Sequence, residues 1–459
     1  MTLALELGRF VAALDPAAVP APVLEKARTC LLNGCGIALG GHATPYAPVA
    51  RRAALALDGE RAQGGATLLG DGRKTSVEGA LLANAALFHG RAQEDTCGAG
   101  HFGTIMIPLL TALVEARGAP LQRLPGALIA GYEVAGLLEA AYGPKTTPAG
   151  LRSSPLYGTL AAAAAAAHLL GLDAERSAAA LANAASFTGG MLQSFADGTD
   201  EWRYQVGVAA RNGLAAVELA RAGSRSAPGA FEGRSGFVRA YARSDCDAAA
   251  LLARLGREWS VLRVTFKPFP VCAFNQTPVT GALVLRERIA GRALRRVRVR
   301  MNPFETGYAG MDAKGPFDSI SGTLMSIPFC IALTLLRGTP TMAGMTSYAD
   351  TEVNALTQGI DLVTDESVPV LSCVIEAETA EGARLVQDQR MTVADFSYDW
   401  DTASRLVRRI GAESGVPAAA YDLIEAFARA PERAGIAAVL DAFAMLPGIR
   451  MTSTEETRR

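Results

Sequence analysis

The sequence predicts a mainly α-helical protein, with a large all-helical domain and a smaller α+β domain. At 459 residues the chain is longer than one hydrophobic core usually serves, so two domains are expected. Up to about residue 262, Ala- and Leu-rich segments recur at helical spacing, whereas strand-like alternation begins beyond that point. The helices predicted in the first part are Pro22 to Leu39, Val77 to His89, Ile105 to Arg117, Arg123 to Tyr142, Leu156 to Leu170, Ala174 to Phe187 and Gly207 to Ala222.

The smaller domain is predicted from segments with a different pattern. The stretch ALRRVRVRMNPF alternates basic and apolar residues like a half-exposed strand, and VPVLSCVIEAETAEGARLVQDQRMTV indicates two strands joined by a Glu-Gly turn. Between them, Ser319 to Leu336 is predicted to be a buried helix. The tail, Thr402 to Leu446, returns to amphipathic helices and is expected to pack on the first domain. The helical domain is therefore placed at residues 1–263 and 396–459, and the α+β domain at 264–395.

The charge balance excludes several classes of partner. Lys and Arg number 44 against 45 Asp and Glu, so no global field would attract nucleic acid or an anionic membrane. The N-terminal sequence MTLALELGRF lacks the basic segment of a secretory signal. The longest apolar run, Thr159 to Leu172, is shorter than the roughly 20 residues of a membrane-spanning helix. We expect a cytoplasmic protein that binds neither nucleic acid nor membrane.

The sequence predicts neither a metal site nor a nucleotide site. The seven cysteines are scattered without a CxxC pair, and no two of the four histidines have the i, i+4 spacing of a helical metal pair. The glycines at positions 98, 100 and 103 satisfy GxGxxG, but the segment before them is Ala-rich and helical rather than a strand, and no acidic residue follows near 20 positions on. A dinucleotide cofactor is therefore not expected.

A first candidate site lies in HGRAQEDTCGAGHFGTIM. The segment carries Asp95 and Thr96, a Gly-rich turn, and His101 just before a helix that is predicted to begin near Thr104. Free N–H groups at a helix start attract anions, so a substrate carboxylate could lie there with His101 beside it as an acid or base. The alternative is a loop in which Asp95 or Thr96 caps the helix and His101 only packs.

Three further segments carry cationic candidates. Lys267 lies between Phe266 and Pro268, and apolar surroundings favour the neutral amine that a general base requires. Arg203, beside Tyr204, and Arg152 each precede a predicted helix and could bind a carboxylate through two N–H groups. The alternatives are an ordinary lysine at a domain boundary and arginines without a functional role.

Taken in order, several motifs resemble the MmgE/PrpD family over nearly the whole chain. This family includes 2-methylcitrate dehydratases, cis-aconitate decarboxylase and iminodisuccinate epimerase. The resemblance implies a helical domain made from both chain ends, a small α+β lid, a homodimer and a cofactor-free site between the domains. The motifs are LLNGCGIALGG, ATLLGDGRKTSVEGALLANAALFHG, EDTCGAGHFG, YGTLAAAAAAAHLLGLD, GVAARNGL, FKPFPVC and SIPFCIAL.

The resemblance also assigns roles to individual residues. His101 matches the active-site histidine of the family, Asp95 and Thr96 match its DDT element, and Lys267 matches the lysine of a KPxP-like motif. There are departures as well. Ala92 stands where the family has the first aspartate of its HALDFDDT pattern, and Arg152 stands where it often has a histidine. Trp202 falls near the position of a dehydratase lysine. A position that is histidine in several members falls on Gln276, or on Cys272 in the decarboxylase pattern.

These departures remove groups that could protonate a leaving hydroxide and keep groups that bind charge. The resemblance therefore predicts a cofactor-independent lyase or isomerase that abstracts a proton α to a carboxylate of a small di- or tricarboxylic acid, and not a true 2-methylcitrate dehydratase. The alternatives are an epimerase of the iminodisuccinate type and a non-catalytic, carboxylate-binding member. The predicted catalytic residues are His101, Lys267 and Asp95, with Lys267 or His101 as the base, and the predicted substrate-binding residues are Thr96, Arg152, Arg203, Tyr204 and Gln276.

Overall fold

The computed structural model describes residues 2–447 and divides into two compact units. Of the described residues, the first contains 2–190, Arg203–Val264 and 399–447; the second contains Met191–Trp202 and Thr265–Tyr398. Met191–Trp202 was predicted to belong to the helical domain, whereas it groups with the second unit. Residues 448–459 of the predicted helical domain lie outside the described residues.

Helices dominate both units, so the predicted mainly α fold class is confirmed. Shorter helical turns occur at Leu121–Arg123, Ser260–Arg263 and Ala273–Asn275, with a π-helical turn at Val238–Ala242. The α-helices are α1 Leu3–Ala13, α2 Ala21–Gly40, α3 Tyr46–Asp58, α4 Val77–Phe88, α5 Gly103–Arg117, α6 Leu124–Thr146, α7 Ser153–Leu169, α8 Ala174–Phe187, α9 Gln193–Asp197, α10 Glu201–Arg221, α11 Ala248–Arg254, α12 Gln276–Ile289, α13 Pro303–Thr306, α14 Ile320–Met325, α15 Ile327–Arg337, α16 Met342–Met345, α17 Thr351–Gly359, α18 Val393–Phe396, α19 Trp400–Ser414, α20 Ala418–Arg429, α21 Pro431–Ala434 and α22 Ala437–Ala444.

The core of the first unit is made of closely packed small residues. The alanines of α7 from Ala161 to Ala167 are fully buried, and α7 packs along α6. Helix α10 approaches α7 so closely that a Cβ atom on Gly213 would collide with Ala162. Small side chains thus allow these backbones to come together, which explains the Ala-rich composition of this part of the chain.

The C-terminal helices complete this core. A Cβ atom on Gly36 of α2 would lie 2.6 Å from Cβ of Val407 in α19, and Tyr421 of α20 donates to the Gly36 carbonyl oxygen at 3.3 Å. Helices from both ends of the chain therefore share one core in the first unit.

Helix α6 has a composition that bears on the expected absence of membrane segments. The segment Leu121–Thr146 is long and apolar enough to cross a membrane, but 89% of its most apolar window is buried inside the fold. A buried core helix passes the same test of length and composition.

The second unit contains a four-stranded sheet. The strands are ordered β4-β3-β5-β6, with β3 and β4 parallel and the other pairs antiparallel. Helices α12 and α15 pack together, and α12 lies against β5 and β6. A two-stranded hairpin, β1 with β2, lies in the first unit around the Asp71-Gly72 turn. The strands are β1 Ala66–Thr67, β2 Lys74–Thr75, β3 Leu294–Met301, β4 Ile360–Thr364, β5 Ser372–Thr379 and β6 Arg384–Arg390.

The helix predicted over Ser319 to Leu336 is two helices, α14 and α15. Its continuity ends at Ser326, because Pro328 has no N–H to donate and fits best in the first turn of a new helix. The Ser326 side chain accepts from the Phe329 N–H at 2.9 Å and caps that helix.

His168 predicts a pH dependence of stability. The ring is buried in α7, with Nδ1 2.9 Å from the Val11 carbonyl oxygen, and burial lowers its pKa. An unfolded chain takes up this proton near an ordinary pKa of ~6.5, whereas the folded chain resists it, so the stability present above pH ~6.5 is lost as the pH falls through the lower folded-state value. We expect His168→Gln to weaken this dependence, measured by urea denaturation at several pH values. Equal dependence in both proteins would exclude His168 as the group responsible.

Candidate active site

A cluster of buried polar side chains lies where α4 ends and α5 and α7 begin. Helix α4 ends at Phe88, and His89 follows as its fully buried C-cap residue. The chain then reverses through a loop, residues 90–102, in which Ala92 takes a positive φ of 55°. A non-glycine residue rarely adopts this backbone, which indicates that the surrounding contacts impose the bend. The bend precedes Glu94 directly.

Glu94 stands between two imidazole rings. Its Oε1 lies 2.9 Å from Nδ1 of His89 and 3.3 Å from Nδ1 of His101. The side chains of Glu94 and His89 are fully buried, whereas that of His101 is 16% exposed. The ring centres of His89 and His101 are 5.2 Å apart. The cluster therefore reaches solvent through His101.

The backbone also positions His101. Its Nδ1 lies 2.9 Å from the Asp95 carbonyl oxygen, and its main-chain N–H donates to Oγ of Ser154 at 3.1 Å. Because a carbonyl oxygen only accepts, Nδ1 carries the hydrogen and the lone pair of the neutral ring is on Nε2. His101 is thus held in the tautomer that can accept a proton at Nε2.

Arg152, predicted to bind substrate, lies inside the cluster. The side chain is only 2% exposed, with Nη2 2.6 Å from Nε2 of His89 and Nη1 3.2 Å from Oε1 of Gln205. The Arg152 N–H donates to the Gly190 carbonyl oxygen at 3.0 Å, which places the residue just before α7. Both Nη atoms of Arg152 thus contact protein side chains, which supports a positioning role, and its binding of a substrate carboxylate stays a prediction.

Asp95 lies at the start of α5, but its carboxylate turns into the protein. It accepts a hydrogen bond from the Tyr132 hydroxyl, and a Cβ atom on Gly103 would collide with it. Burial, reinforced by the Asp95 charge, holds the pKa of Tyr132 well above its usual value, so the tyrosine stays a neutral donor. A protein carboxylate therefore occupies the space beside the first residue of α5, where we expected the substrate carboxylate. Thr96 is buried in the same loop.

The turn between Cys97 and Gly100 is the basis of a stability prediction. Gly98 has φ +61°, the Ala99 N–H donates to Glu139 at 2.9 Å, and a Cβ atom on Gly98 would collide with that carboxylate. We expect Gly98→Ala to lower the free energy of unfolding by roughly 2–5 kcal/mol, combining backbone strain with loss of a buried hydrogen bond.

The matched control for this turn is Gly118→Ala. Gly118 has nearly the same φ, +62°, but nothing lies within 4 Å of the added Cβ atom. This control should lose only the backbone contribution, about 1–2 kcal/mol. Equal losses in the two variants, measured by urea denaturation, would mean that the contact with Glu139 adds nothing.

The residues predicted at the start of α10 lie in different surroundings. Arg203 is fully buried, with its guanidinium carbon 3.7 Å from the centre of the Tyr46 ring. Tyr204 packs against a small hydrophobic cluster of α3, α4 and Leu68. The stacking uses the face of the Arg203 guanidinium, and the N–H groups at its edge are the part that recognises carboxylates. Tyr204 contributes to helix packing, and its predicted contact with substrate stays a prediction.

The second unit contains Lys267 and Gln276. Lys267 is 3% exposed in the loop before α12. The Gln276 side chain, predicted to bind substrate, accepts from the Phe269 N–H at 3.1 Å and donates to the carbonyl oxygens of Phe269 and Val271, each at 3.0 Å. The amide of Gln276 therefore supports the loop that carries Lys267, and its predicted contact with substrate stays a prediction.

Sequence reasoning did not identify His89 and Gln205 as members of the cluster, and it gave Glu94 no partner. A signal for His89 was present, since HGRAQED places a histidine five residues before Glu94 at the end of a helix. Among residues 2–447, no group of three or more His, Cys, Asp or Glu side chains is placed to hold a metal ion. The arrangement is that of an acid–base cluster, in which a buried carboxylate orients an imidazole.

Comparison with known proteins identifies the family. The sequence profile of the MmgE/PrpD N-terminal domain matches residues 5–248, more than half of the chain, including the whole His89–His101 segment and Arg152. The chain therefore belongs to the MmgE/PrpD family, as its motifs predicted.

Its relatives include fungal proteins. The chain is 28% identical over 278 residues to a cis-aconitate decarboxylase-like protein of Aspergillus oryzae, covering 57% of each chain. It is 25% identical over 354 residues to a cis-aconitate decarboxylase of Aspergillus terreus, covering 72% of this chain and 71% of the relative. It is 28% identical over 216 residues to an alkylcitrate dehydratase of a fungal species, covering 46% of this chain and 42% of the relative. The match to the first relative thus spans little more than half of that protein.

Proposed function

We propose that this protein is a lyase that removes a proton from the carbon next to a carboxylate of a small di- or tricarboxylic acid, without a metal or nucleotide cofactor. The observation that carries the proposal is His101, a partly exposed imidazole held by a buried carboxylate and a main-chain carbonyl oxygen. Relatives described as cis-aconitate decarboxylase and alkylcitrate dehydratase support the reaction class and the type of substrate.

His101 supplies the proton-transfer group in this proposal. Nε2 accepts the substrate proton, and the imidazolium that forms is stabilised by the Glu94 carboxylate 3.3 Å from Nδ1. The fixed tautomer means that the ring need not rotate or exchange its other hydrogen before it reacts. A buried carboxylate is only weakly screened by water, so its effect on His101 is larger than that of a surface charge.

Two further residues complete the proposal. We assign Arg203 to substrate binding, because its guanidinium edge fits a carboxylate and its face is already held by Tyr46. Lys267 is kept as the predicted second acid–base group, the role that its match to the lysine of the KPxP-like motif implies. The departures from the family pattern, above all Arg152 in place of a histidine, argue against dehydration of 2-methylcitrate.

The experiment that tests the proposal is an NMR screen of small di- and tricarboxylates in deuterated water. Loss of carbon dioxide marks a decarboxylase, loss of water a dehydratase, and deuterium exchange with inversion an epimerase. We expect one of the first two outcomes and activity that survives EDTA. Inversion would move the enzyme to the isomerases. Binding of carboxylates without any conversion would favour a non-catalytic member of the family.

We also propose a homodimer that uses the first unit. Exposed apolar side chains lie on α3, at Val49 and Leu57, and on α10, at Val208 and Leu219. The two helices are neighbours, linked by Arg211 and Asp58 at 3.7 Å. Light scattering should give twice the chain mass of 47.8 kDa, and Leu57→Glu combined with Val208→Glu should reduce it. A mass of one chain at micromolar concentration would contradict the proposal.

A further inference from the structure

We propose that Arg152 is a positioning residue that holds His89 as the neutral Nδ1–H tautomer, so that His101 is the imidazole of this cluster that exchanges a proton. The inference deepens the proposed function, and its catalytic consequence rests on that function. The tautomer of His89 itself can be measured without any substrate, so the two proposals can fail separately.

The hydrogen-bonding capacity of arginine determines which nitrogen of His89 is the acceptor. A guanidinium has only donors, and Nη2 of Arg152 lies 2.6 Å from Nε2 of His89. Nε2 of His89 must therefore be the acceptor and carry the lone pair. A proton at that nitrogen would set an N–H group against the N–H of a permanent cation in a buried site, which is strongly unfavourable.

The hydrogen of the neutral His89 ring must then be on Nδ1. That nitrogen lies 2.9 Å from Oε1 of Glu94, the oxygen that also faces His101. With both Nδ1 atoms protonated, a further proton could be accepted only at Nε2 of one ring or the other. Because the lone pair on Nε2 of His89 accepts a hydrogen bond from Arg152, the proton that the cluster takes up goes to Nε2 of His101.

The charges around His89 support this assignment. Arg152 faces it from the residue before α7, Glu94 and His101 face it from the loop, and Gln205 of α10 contacts Arg152. With His89 neutral, the charge of Arg152 balances that of Glu94 across the ring. His101 is then neutral at rest and cationic after it accepts a proton, and Glu94 stabilises the second form.

The first measurement is histidine ¹⁵N NMR of the labelled protein. The chain has four histidines, so their signals can be assigned by single replacements. We expect His89 to show a protonated Nδ1 and a bare Nε2 and to keep both at pH values on either side of ~6.5, the ordinary histidine pKa. An Nε2–H tautomer, or conversion of His89 to imidazolium in the wild-type protein over this range, would overturn the proposal.

Two variants distinguish control of the His89 tautomer by Arg152 from a general structural role of Arg152. Lysine also has donors only, so Arg152→Lys should keep His89 neutral, whereas Arg152→Met should allow His89 to take up a proton. The matched control is Arg123→Met, because Arg123 lies beside another histidine but donates to the His168 carbonyl oxygen instead of its ring, at 3.2 Å. This control should leave the His89 signals unchanged. If the His89 ring stays neutral in a folded Arg152→Met variant, Arg152 does not control the protonation of His89.

The catalytic consequence has its own readout. In the wild type, kcat/KM should fall on the acidic side with one ionisation, that of His101. In Arg152→Met the fall should follow two ionisations, and Arg152→Lys should restore the single one. A loss of activity with an unchanged pH profile in Arg152→Met would assign Arg152 a purely structural role. If Arg152→Met does not fold, the wild-type tautomer and the Arg152→Lys profile still decide the question.

Discussion

Replacing His101 with asparagine should lower kcat by about 10² to 10⁴, the usual contribution of a general acid–base group. Asparagine can still donate to the Asp95 carbonyl oxygen that holds Nδ1 of His101. It cannot accept a proton near neutral pH, so the loss should appear in the chemical step with the fold retained. Steady-state kinetics with the substrate found in the screen measure the effect.

The control for this variant is His42→Asn. Nδ1 of His42 lies 3.0 Å from the Leu39 carbonyl oxygen, so His42 repeats the backbone contact of His101 at the end of a different helix. We expect this control to keep its activity within a few-fold. Activity that falls equally in the two variants would indicate a general loss of structure, and activity that falls in neither would remove His101 from the mechanism.

Replacing Lys267 with methionine should likewise lower kcat by about 10² to 10⁴ if the lysine transfers a proton. Methionine keeps much of the length and apolar contact of a buried lysine stem, so the fold should be retained. The Gln276 amide holds the loop through its own hydrogen bonds to the main chain. If Lys267→Met unfolds at a lower denaturant concentration than the wild type, the replacement disturbs the loop and the loss of kcat cannot be assigned to proton transfer.

Lys314→Met is the matched control for Lys267→Met. Lys314 belongs to the same unit, and its Nζ donates to the Ile360 carbonyl oxygen at 2.7 Å. This replacement therefore removes an amine that hydrogen-bonds to the main chain. We expect its kcat to be unchanged. If Lys267→Met stops net conversion but retains deuterium exchange of the substrate, Lys267 acts after His101. Near-normal turnover would exclude Lys267 as an acid–base group.

Much of the fold could be predicted because it follows from local pattern. Ala- and Leu-rich runs bounded by Gly or Pro located α2, α4 and α7, and the period-two alternation of ALRRVRVRM located β3. The single helix predicted over Ser319 to Leu336 was wrong. Pro328 lies within this strongly apolar run and begins a new helix there. The position of Met191–Trp202 depends on tertiary packing and has no local signal.

The candidate site was only partly predictable for a related reason. His101 could be found from its place after an acidic loop and before a helix, which is a local feature. The contact of Arg152 with His89 joins residues 63 positions apart, and no spacing rule connects them. Gln276 was predicted to bind substrate because it falls where several family members have a histidine, but which atoms its amide contacts depends on the folded loop.

The most direct test of the account is deuterium exchange into the substrate, followed by proton NMR, with the wild type and His101→Asn side by side. The substrate is the di- or tricarboxylate found in the screen. We predict that the wild type exchanges or removes the proton next to a carboxylate, and that His101→Asn does so at least about 10²-fold more slowly, whatever the later step. Exchange at equal rates in the two proteins would contradict the assignment of His101 as the group that takes this proton.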